Sequence, residues 1–569
     1  MGNSLEPRTI RAGPLIATAP RTGNLNDSSA FRINNMLLRG FREEYRYWES
    51  FNGLGDLSED VDMVALTGTL TLDENTNVVT GAGTMFSQEC HLGQFISAIP
   101  ADNSANYPFV VQQIIDDATM VIWGNAKGTA SGLTGWQMPV IFAINNQRGT
   151  ALRGNVLKLD RGSYLGVGSG TFRVNGQPLT GTSMELSRRP KIALYDATLN
   201  SYTVFELGFD DGAQPTLAAV GGGVKGMQAG NFSLVVTEAR KETVSYGNPS
   251  LRADVTIATN DQIACTFGPL TTPGANARIV WVTTFADSLG ADLNYLNGPW
   301  HRLRLIDDTE VPVGGGTINL EWLDAEVENN ELVSFDNDAP TDAEFVEMLN
   351  AVPIWVSCQG QGNLTNPTST SPGPFVVPSK PNNIEAAPLD LAFSSSPPET
   401  ILGVTAAQGR LFLPTPNKLQ IAQATPSDLV PVLIRPFWND GFANPYQLDY
   451  IDGWLYAYTA GGPTRSVGEG DVIDTQRNWA ADVFEIMKPW NLGQVLNRYD
   501  PKNDAMVYFH AMDRLNDAGF WTTRWLAYGI SVNEWLGAGE FSADDKDQIV
   551  SGVATVGEAL ELVISGRKT

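Results

Sequence analysis

The chain has 569 residues, 42% of them hydrophobic and 18% charged, and 63 acidic against 37 basic residues give a formal net charge of −26. That length exceeds one ordinary core, so several domains are expected. The acidic balance, with no long basic run, excludes stable wrapping of nucleic acid by Lys and Arg set against phosphates.

The 56 glycines and 33 prolines suit many short strands joined by tight turns. Cys90, Cys265 and Cys358 are odd in number and far apart, which predicts reduced, buried thiols and assembly in a cytoplasm. The opening MGNSLEPRTIRAGP has no apolar segment of the kind a secretory leader carries, and Glu6 breaks an N-myristoylation pattern. No apolar stretch reaches the length of a membrane span, so no stable membrane insertion is expected.

Residues 1–62 read as an N-terminal arm followed by the first strands of a larger array. The stretch to about Asp27 is rich in Pro, Gly and Thr. After it, Asp27 or Ser28 could cap a helix that Gly40 would interrupt, whereas the alternation in REEYRYWESF favours strands. Residues 63–144 carry GTLTL, NVVTG, QFISAI, FVVQQII and ATMVIWG, five short strands with turns at Asp73–Asn75 and Gly81–Gly83, which make a small barrel or sandwich. Residues 145–220 contain KIALYDATLNSYTVFEL, two alternating strands around Ala197–Asn200. Residues 221–350 open on the glycine hinge GGGVKGMQAG and continue with strands of an immunoglobulin- or fibronectin-like sandwich. There TDAEFVEMLNAV is the best helix candidate, capped by Thr341 or Asp342. Residues 361–400 read as a long irregular crossing.

Residues 400–550 repeat a grammar of strand, Gly- or Asp-bearing turn, aromatic-rich strand, turn and strand. QGRLFL, IDGWLYAY and NDAMVYF occupy equivalent places at intervals of around forty residues. That is the pattern of β-propeller blades, which bury aromatic faces between neighbours; a multi-sheet sandwich is the alternative. The expected fold is mainly β: a discontinuous β-propeller with an inserted small β-barrel or sandwich module (63–144) and an inserted Ig/fibronectin-like β-sandwich (221–350). Propeller parts fall at 145–220 and 351–550, and a C-terminal strand and tail at 551–569.

GTLTLDENTNVVTGAGTMFSQECHLGQFI resembles a small β-module of tailed-bacteriophage virion proteins, through Gly68-Thr69, Val79-Thr80-Gly81, Gly83-Thr84, Phe86 and Gly93-Gln94-Phe95-Ile96. The wider order of arm, interrupted propeller, fibronectin-like insertion and closing propeller half resembles tail nozzle or hub proteins of short-tailed phages. EARKETVSYGNPS resembles the first hairpin of that insertion, DNDAPTDAEF its exit, and ILGVTAAQGRLFL the resumption of the propeller. The resemblance implies a homo-oligomeric ring, usually six-fold, in the virion tail. Such a ring lies below portal and adaptor, beside tail fibres, and DNA passes through it without sequence-specific binding. An acidic wall would repel the duplex and keep it mobile.

No residue is assigned a catalytic, cofactor-binding or metal role, and no cofactor is expected. His91, His301 and His510 are the three histidines, and no GxSxG accompanies them. Cys90 and His91, adjacent, would point to opposite faces of a strand. His301 and His510 read as strand residues with hydrogen-bonded rings. DNDAPTDAE (Asp336–Glu344) lacks an EF-hand's central glycine, ADDKD (Asp544, Asp545, Asp547) reads as a solvated turn, and GVGSG (Gly166–Gly170) reads as a turn rather than a phosphate loop. The enzymatic rival is a tail-associated glycan-binding or glycan-depolymerising propeller. It would draw on Asp449, Asp452, Asp500 and Glu534, with Trp454, Trp490, Trp525 and Trp535 stacking on sugars. At propeller strand positions such tryptophans are more often core. A head or tail decoration protein is a further alternative.

Overall fold

In the computed structural model, the described residues are the strands Met36–Arg39 and Glu44–Tyr47, residues 63–137 and, with interruptions, residues 140–565. The interruptions include 285–298, 359–372, 475–491 and 543–548. Strand dominates these residues, and no helix among them is long and apolar enough to cross a membrane.

Residues 64–137 close into a barrel. Strands Thr69–Leu72, Val78–Ala82, Thr119–Ile122, Tyr107–Asp116 and Phe95–Ile99 pair in that order. A sixth strand, Ala130–Gln137, pairs with both Thr69–Leu72 and Phe95–Ile99 and so removes both edges. Sequence reading found five of these strands and missed the sixth, whose ASGLTGWQ is too glycine-rich to show alternation. Period-two burial turns Leu70, Leu72, Val79, Ile96, Val111, Met120, Ile122 and Leu133 into one interior. Gly68 has φ +79°, and a Cβ there would lie 2.5 Å from the Ala82 carbonyl oxygen, so only glycine fits. Asp73 builds the next turn: its Oδ1 accepts from Asn75 N–H at 3.0 Å.

Residues 216–320 form two facing sheets. One contains Thr216–Gly221, Asp261–Phe267 and Gly316–Leu320. The other contains Ser245–Tyr246, Gly230–Arg240, Ala277–Val282 and His301–Asp307, with Ala253–Ile257 also on Gly230–Arg240. Phe232, Leu234, Val236, Val280 and Val282 meet Ile263, Cys265, Phe267 and Leu320 between them, with Trp322 edge-on to Phe232. The first of these strands, Thr216–Gly221, precedes the glycine segment.

Most of the remaining strands form successive antiparallel meanders, with Thr180–Gly181 parallel to Ser201–Glu206 at the edge of the first. The first runs Arg153–Lys158, Tyr164–Thr171, Lys191–Asp196 and Ser201–Glu206. The second, beyond the sandwich, runs Phe345–Leu349, Val352–Cys358, Phe375–Pro378 and Phe393–Ser394. The third is Thr405–Ala407, Arg410–Pro414, Leu419–Ala424 and Pro431–Trp438. The fourth is Leu448–Ile451, Trp454–Thr459, Gly462–Val467 and Asp471–Asp474. The fifth is Val495–Asp500, Ala505–Leu515, Trp521–Gly529 and Glu534–Ser542. QGRLFL, IDGWLYAY and NDAMVYF thus supply the second strands of the third, fourth and fifth meanders. The two-residue turns before two of them, Gln408-Gly409 and Asp452-Gly453, have positive φ at both positions, as a type I′ hairpin needs.

Consecutive meanders stack face to face because their strands are apolar on both sides. In the third, Leu411, Leu413 and Ala422 face the second meander, while Phe412, Leu419 and Ile421 face the fourth. The opening strands of the five meanders neighbour one another in turn. Ile549–Val556 and Val140–Ile144, which lie side by side, carry the circuit from Val495–Asp500 back to Arg153–Lys158. The arrangement is consistent with a β-propeller.

Three local expectations are corrected. TDAEFVEMLNAV is not helical: Phe345–Leu349 is a strand, and Asn350 and Ala351 turn it at φ 49° and 63° into Val352–Cys358. Its helix-forming Glu, Met and Leu are overridden because Phe345 and Val346 are buried on opposite faces of one sheet. GVGSG is not a turn but the middle of Tyr164–Thr171, paired with Arg153–Lys158. The crossing expected over 361–400 holds two strands of the second meander.

Candidate functional site: the polar junctions of barrel and sandwich

The most developed polar chemistry among the described residues lies where the sandwich meets the second meander. Arg240 ends the strand Gly230–Arg240, and its Nη1 pairs with a Glu385 carboxylate oxygen, both side chains being 0% exposed. Arg240 Nη2 donates to the Pro273 carbonyl at 2.9 Å, and its Cζ lies 4.7 Å from the Phe209 ring centroid. Glu385 also accepts from Gly208 N–H at 3.3 Å and Thr243 Oγ1–H at 3.2 Å. A charge pair removed from water needs such additional donors to offset its desolvation.

Around this pair the sandwich's entry and exit interlock with the meander. Asn383 Nδ2 donates to the Tyr246 carbonyl at 2.7 Å, and Tyr246 N–H donates back to Asn383 Oδ1 at 3.3 Å. Asn337 N–H donates to Asn248 Oδ1 at 2.8 Å, Asn337 Nδ2 to the Gly247 carbonyl at 3.1 Å, and Asn248 Nδ2 to Asp338 Oδ1 at 2.8 Å. Lys380 Nζ reaches Ser334 Oγ at 2.6 Å and also pairs with Asp336. The two segments that read as the insertion's first hairpin and its exit, EARKETVSYGNPS and DNDAPTDAEF, therefore supply much of this junction.

The barrel is joined by packing and by one buried pair. His91 Nδ1 lies 2.8 Å from Glu344 Oε1, just before the second meander. Phe95 and Val110 pack with Leu496, Val507, Phe509 and Trp525 of the fifth meander. Trp521 Nε1 donates to the Asn106 carbonyl at 3.3 Å, and Lys127 Nζ sits 5.7 Å from the Trp521 ring. A Cβ on Gly93 would come within 2.8 Å of the Ala443 carbonyl, and one on Gly493 within 2.7 Å of the Trp123 ring. Glycine is what lets the two surfaces approach.

The other residues weighed from sequence are dispersed. Cys90 follows the short helix Phe86–Glu89 rather than sitting on a strand, yet it points into the barrel core while His91 points out to Glu344. Cys265 is buried in the sandwich, which pushes its thiol up to about 12, and Cys358 is buried in the second meander. His301 opens a sandwich strand and bridges to Leu332. His510 departs from expectation: neither ring nitrogen meets a hydrogen-bond partner among the described residues.

Asp449, Asp452 and Asp500 all lie near Tyr499, but Asp500 serves its own turn and Asp449 accepts from the neighbouring strand. Asp500 accepts from Lys502 N–H at 3.1 Å and Asn503 Nδ2 at 2.5 Å, and Asp449 Oδ2 accepts from Tyr499 N–H at 3.3 Å. Trp525 is core and Trp454 is packed against the tyrosines of the fourth and fifth meanders. Glu534 and Trp535 are placed only as strand residues, while Trp490, Asp544, Asp545 and Asp547 lie outside the described residues, as do Asp27 and Ser28. Asp336, Asp338 and Glu344 take part in the junctions above rather than converging on one point. Among the described residues no three His, Cys, Asp or Glu side chains are grouped as a metal site would need.

No known family model matches this chain, and no curated protein matches it. Among solved structures, the WD40 domain of SCAP from fission yeast aligns over 90% of this chain and 99% of its own, at 8% identity and a TM-score of 0.20. That alignment is too loose to carry an argument, and the architecture rests on the strand pairing itself.

Proposed function

We propose that this chain is a structural component of a phage tail: a β-propeller carrying a barrel and an Ig/fibronectin-like sandwich, assembled as a ring that continues the DNA exit channel. The observation that carries the reading is the pair of junctions. The buried Arg240–Glu385 pair fixes the sandwich to the sheet array, and the His91–Glu344 contact together with the close approaches at Gly93 and Gly493 seats the barrel on it. That construction suits a protein whose task is to hold a shape and present surfaces to neighbours. The phage-like module motif and the order of units support the tail assignment, and the net charge of −26 suits a wall that does not retain DNA.

Cryo-electron microscopy of the virion tests it. The expected result is density for this chain in a closed ring on the tail axis; absence from the tail, or a position at fibre tips, would remove the reading. Native mass spectrometry of the purified chain is expected to show a single closed oligomer. Binding or cleavage of host surface polysaccharide would favour the glycan-active alternative.

A further inference from the structure

The layer between the fourth and fifth meanders contains an unusual concentration of polar atoms. His510, Tyr458 and Asn497 are each at most 2% exposed. Both ring nitrogens of His510, the Tyr458 hydroxyl and Asn497 Oδ1 have no hydrogen-bond partner among the described residues. The three side chains share one layer. His510 lies two residues beyond Tyr508 on the same face of Ala505–Leu515, and Asn497 stands opposite Tyr508 across the strand pair. Tyr458 reaches over from the fourth meander, with its ring centroid 5.6 Å from His510 and 5.7 Å from Tyr508.

Four such atoms in one dry layer would be costly, since each forfeits its bonds to water on folding. We propose that this layer is a binding site for neutral hydroxyl guests, filled by ordered internal water molecules that between them donate to Asn497 Oδ1 and the unprotonated His510 nitrogen and accept from the His510 N–H, on the other side of the ring, and from the Tyr458 hydroxyl. The mixture selects the guest. Asn497 Oδ1 can only accept, and a neutral imidazole both donates and accepts. A small anion would serve the donors and leave Asn497 Oδ1 bare. Arg524, paired with His510 across the strands, adds positive potential and helps hold the imidazole neutral.

The sign of a substitution tests it. In an occupied site, Tyr458→Phe and Asn497→Leu each remove a bonded partner and lower the unfolding midpoint of the full chain. In a dry layer, the same changes delete an orphaned group and raise or preserve it. A crystal structure at a resolution that shows solvent provides an independent readout on the unaltered chain. Water within hydrogen-bond distance of His510 and Tyr458 is expected, and an empty layer overturns the proposal. A bromide soak that places a halide peak there, or a midpoint that rises with chloride over gluconate at constant ionic strength, replaces the neutral guest with an anion and overturns it too.

Discussion

Arg240 and Glu385 form an ion pair whose side chains are both fully buried, spanning two separately built sheet systems. The pair fixes the sandwich's approach to the second meander, because Arg240 also binds the Pro273 carbonyl on its own side while Glu385 draws on Gly208 and Thr243. Arg240→Ala leaves a buried carboxylate without its countercharge and is expected to cost about 3–5 kcal/mol. Replacing both partners, Arg240→Met with Glu385→Leu, is expected to cost far less than either single change. Denaturant unfolding followed by tryptophan fluorescence checks both; equal losses for single and double variants would show that the pair does not act as a unit.

Gly93 and Gly132 separate backbone strain from close packing. Both have positive φ, +74° and +69°, but a Cβ on Gly132 meets nothing within 4 Å whereas one on Gly93 runs into the Ala443 carbonyl. Gly132→Ala is expected to cost about 1–2 kcal/mol from strain alone. Gly93→Ala adds an overpacking penalty of about 1–3 kcal/mol and loosens the barrel's seat. Thermal unfolding measures the first difference, and faster proteolytic release of the barrel in Gly93→Ala measures the second.

His510 predicts an acid sensitivity. Burial, with a smaller contribution from Arg524, pushes its imidazole down to about 3 from an ordinary 6.5. Below pH 6.5 the unfolded chain takes up a proton that the folded chain refuses, so this residue's contribution to stability falls as pH falls from 6.5 toward 3. His510→Phe is expected to remove one proton's worth of that slope. Denaturant midpoints at pH 7, 5.5 and 4 check it: the gap between variant and unaltered chain should move in the variant's favour on acidification.

Glu347 predicts the opposite sign. It lies half-buried on Phe345–Leu349, and desolvation holds its carboxyl above the usual range despite one bond from Met348 N–H at 2.9 Å. A carboxyl whose folded pKa is raised favours the folded state when protonated and loses that contribution as pH rises through the folded value. Glu347→Gln is therefore expected to stabilise at pH 8 and to make no difference near pH 4. Paired melting curves at the two pH values decide it.

Much of the strand grammar could be read from local sequence because local chemistry determined it. Gln408-Gly409 and Asp452-Gly453 announce hairpins through residues that tolerate left-handed backbone, and each precedes an aromatic strand that had to be buried. Phe345–Leu349 was not readable, since a capping residue before Glu, Met and Leu has a helix's local signature and only the sheets on either side reverse it. Arg240 and Glu385 were equally hidden. They stand 145 positions apart, and nothing near either marks a charge destined for full burial. The silent nitrogens of His510 have no local signature at all, because their partnering depends on which side chains a different meander presents.

Closure of the strand circuit separates the chain's parts in time. The barrel and the sandwich are contiguous in sequence, so each can form as soon as it leaves the ribosome. Val140–Ile144 pairs locally with Gln147–Ala151 but must wait for Ile549–Val556, made about four hundred residues later, to gain its second neighbour. The barrel precedes the sheet array and the sandwich interrupts it after the first meander, so both units can be complete before the array's seam, which is fastened last.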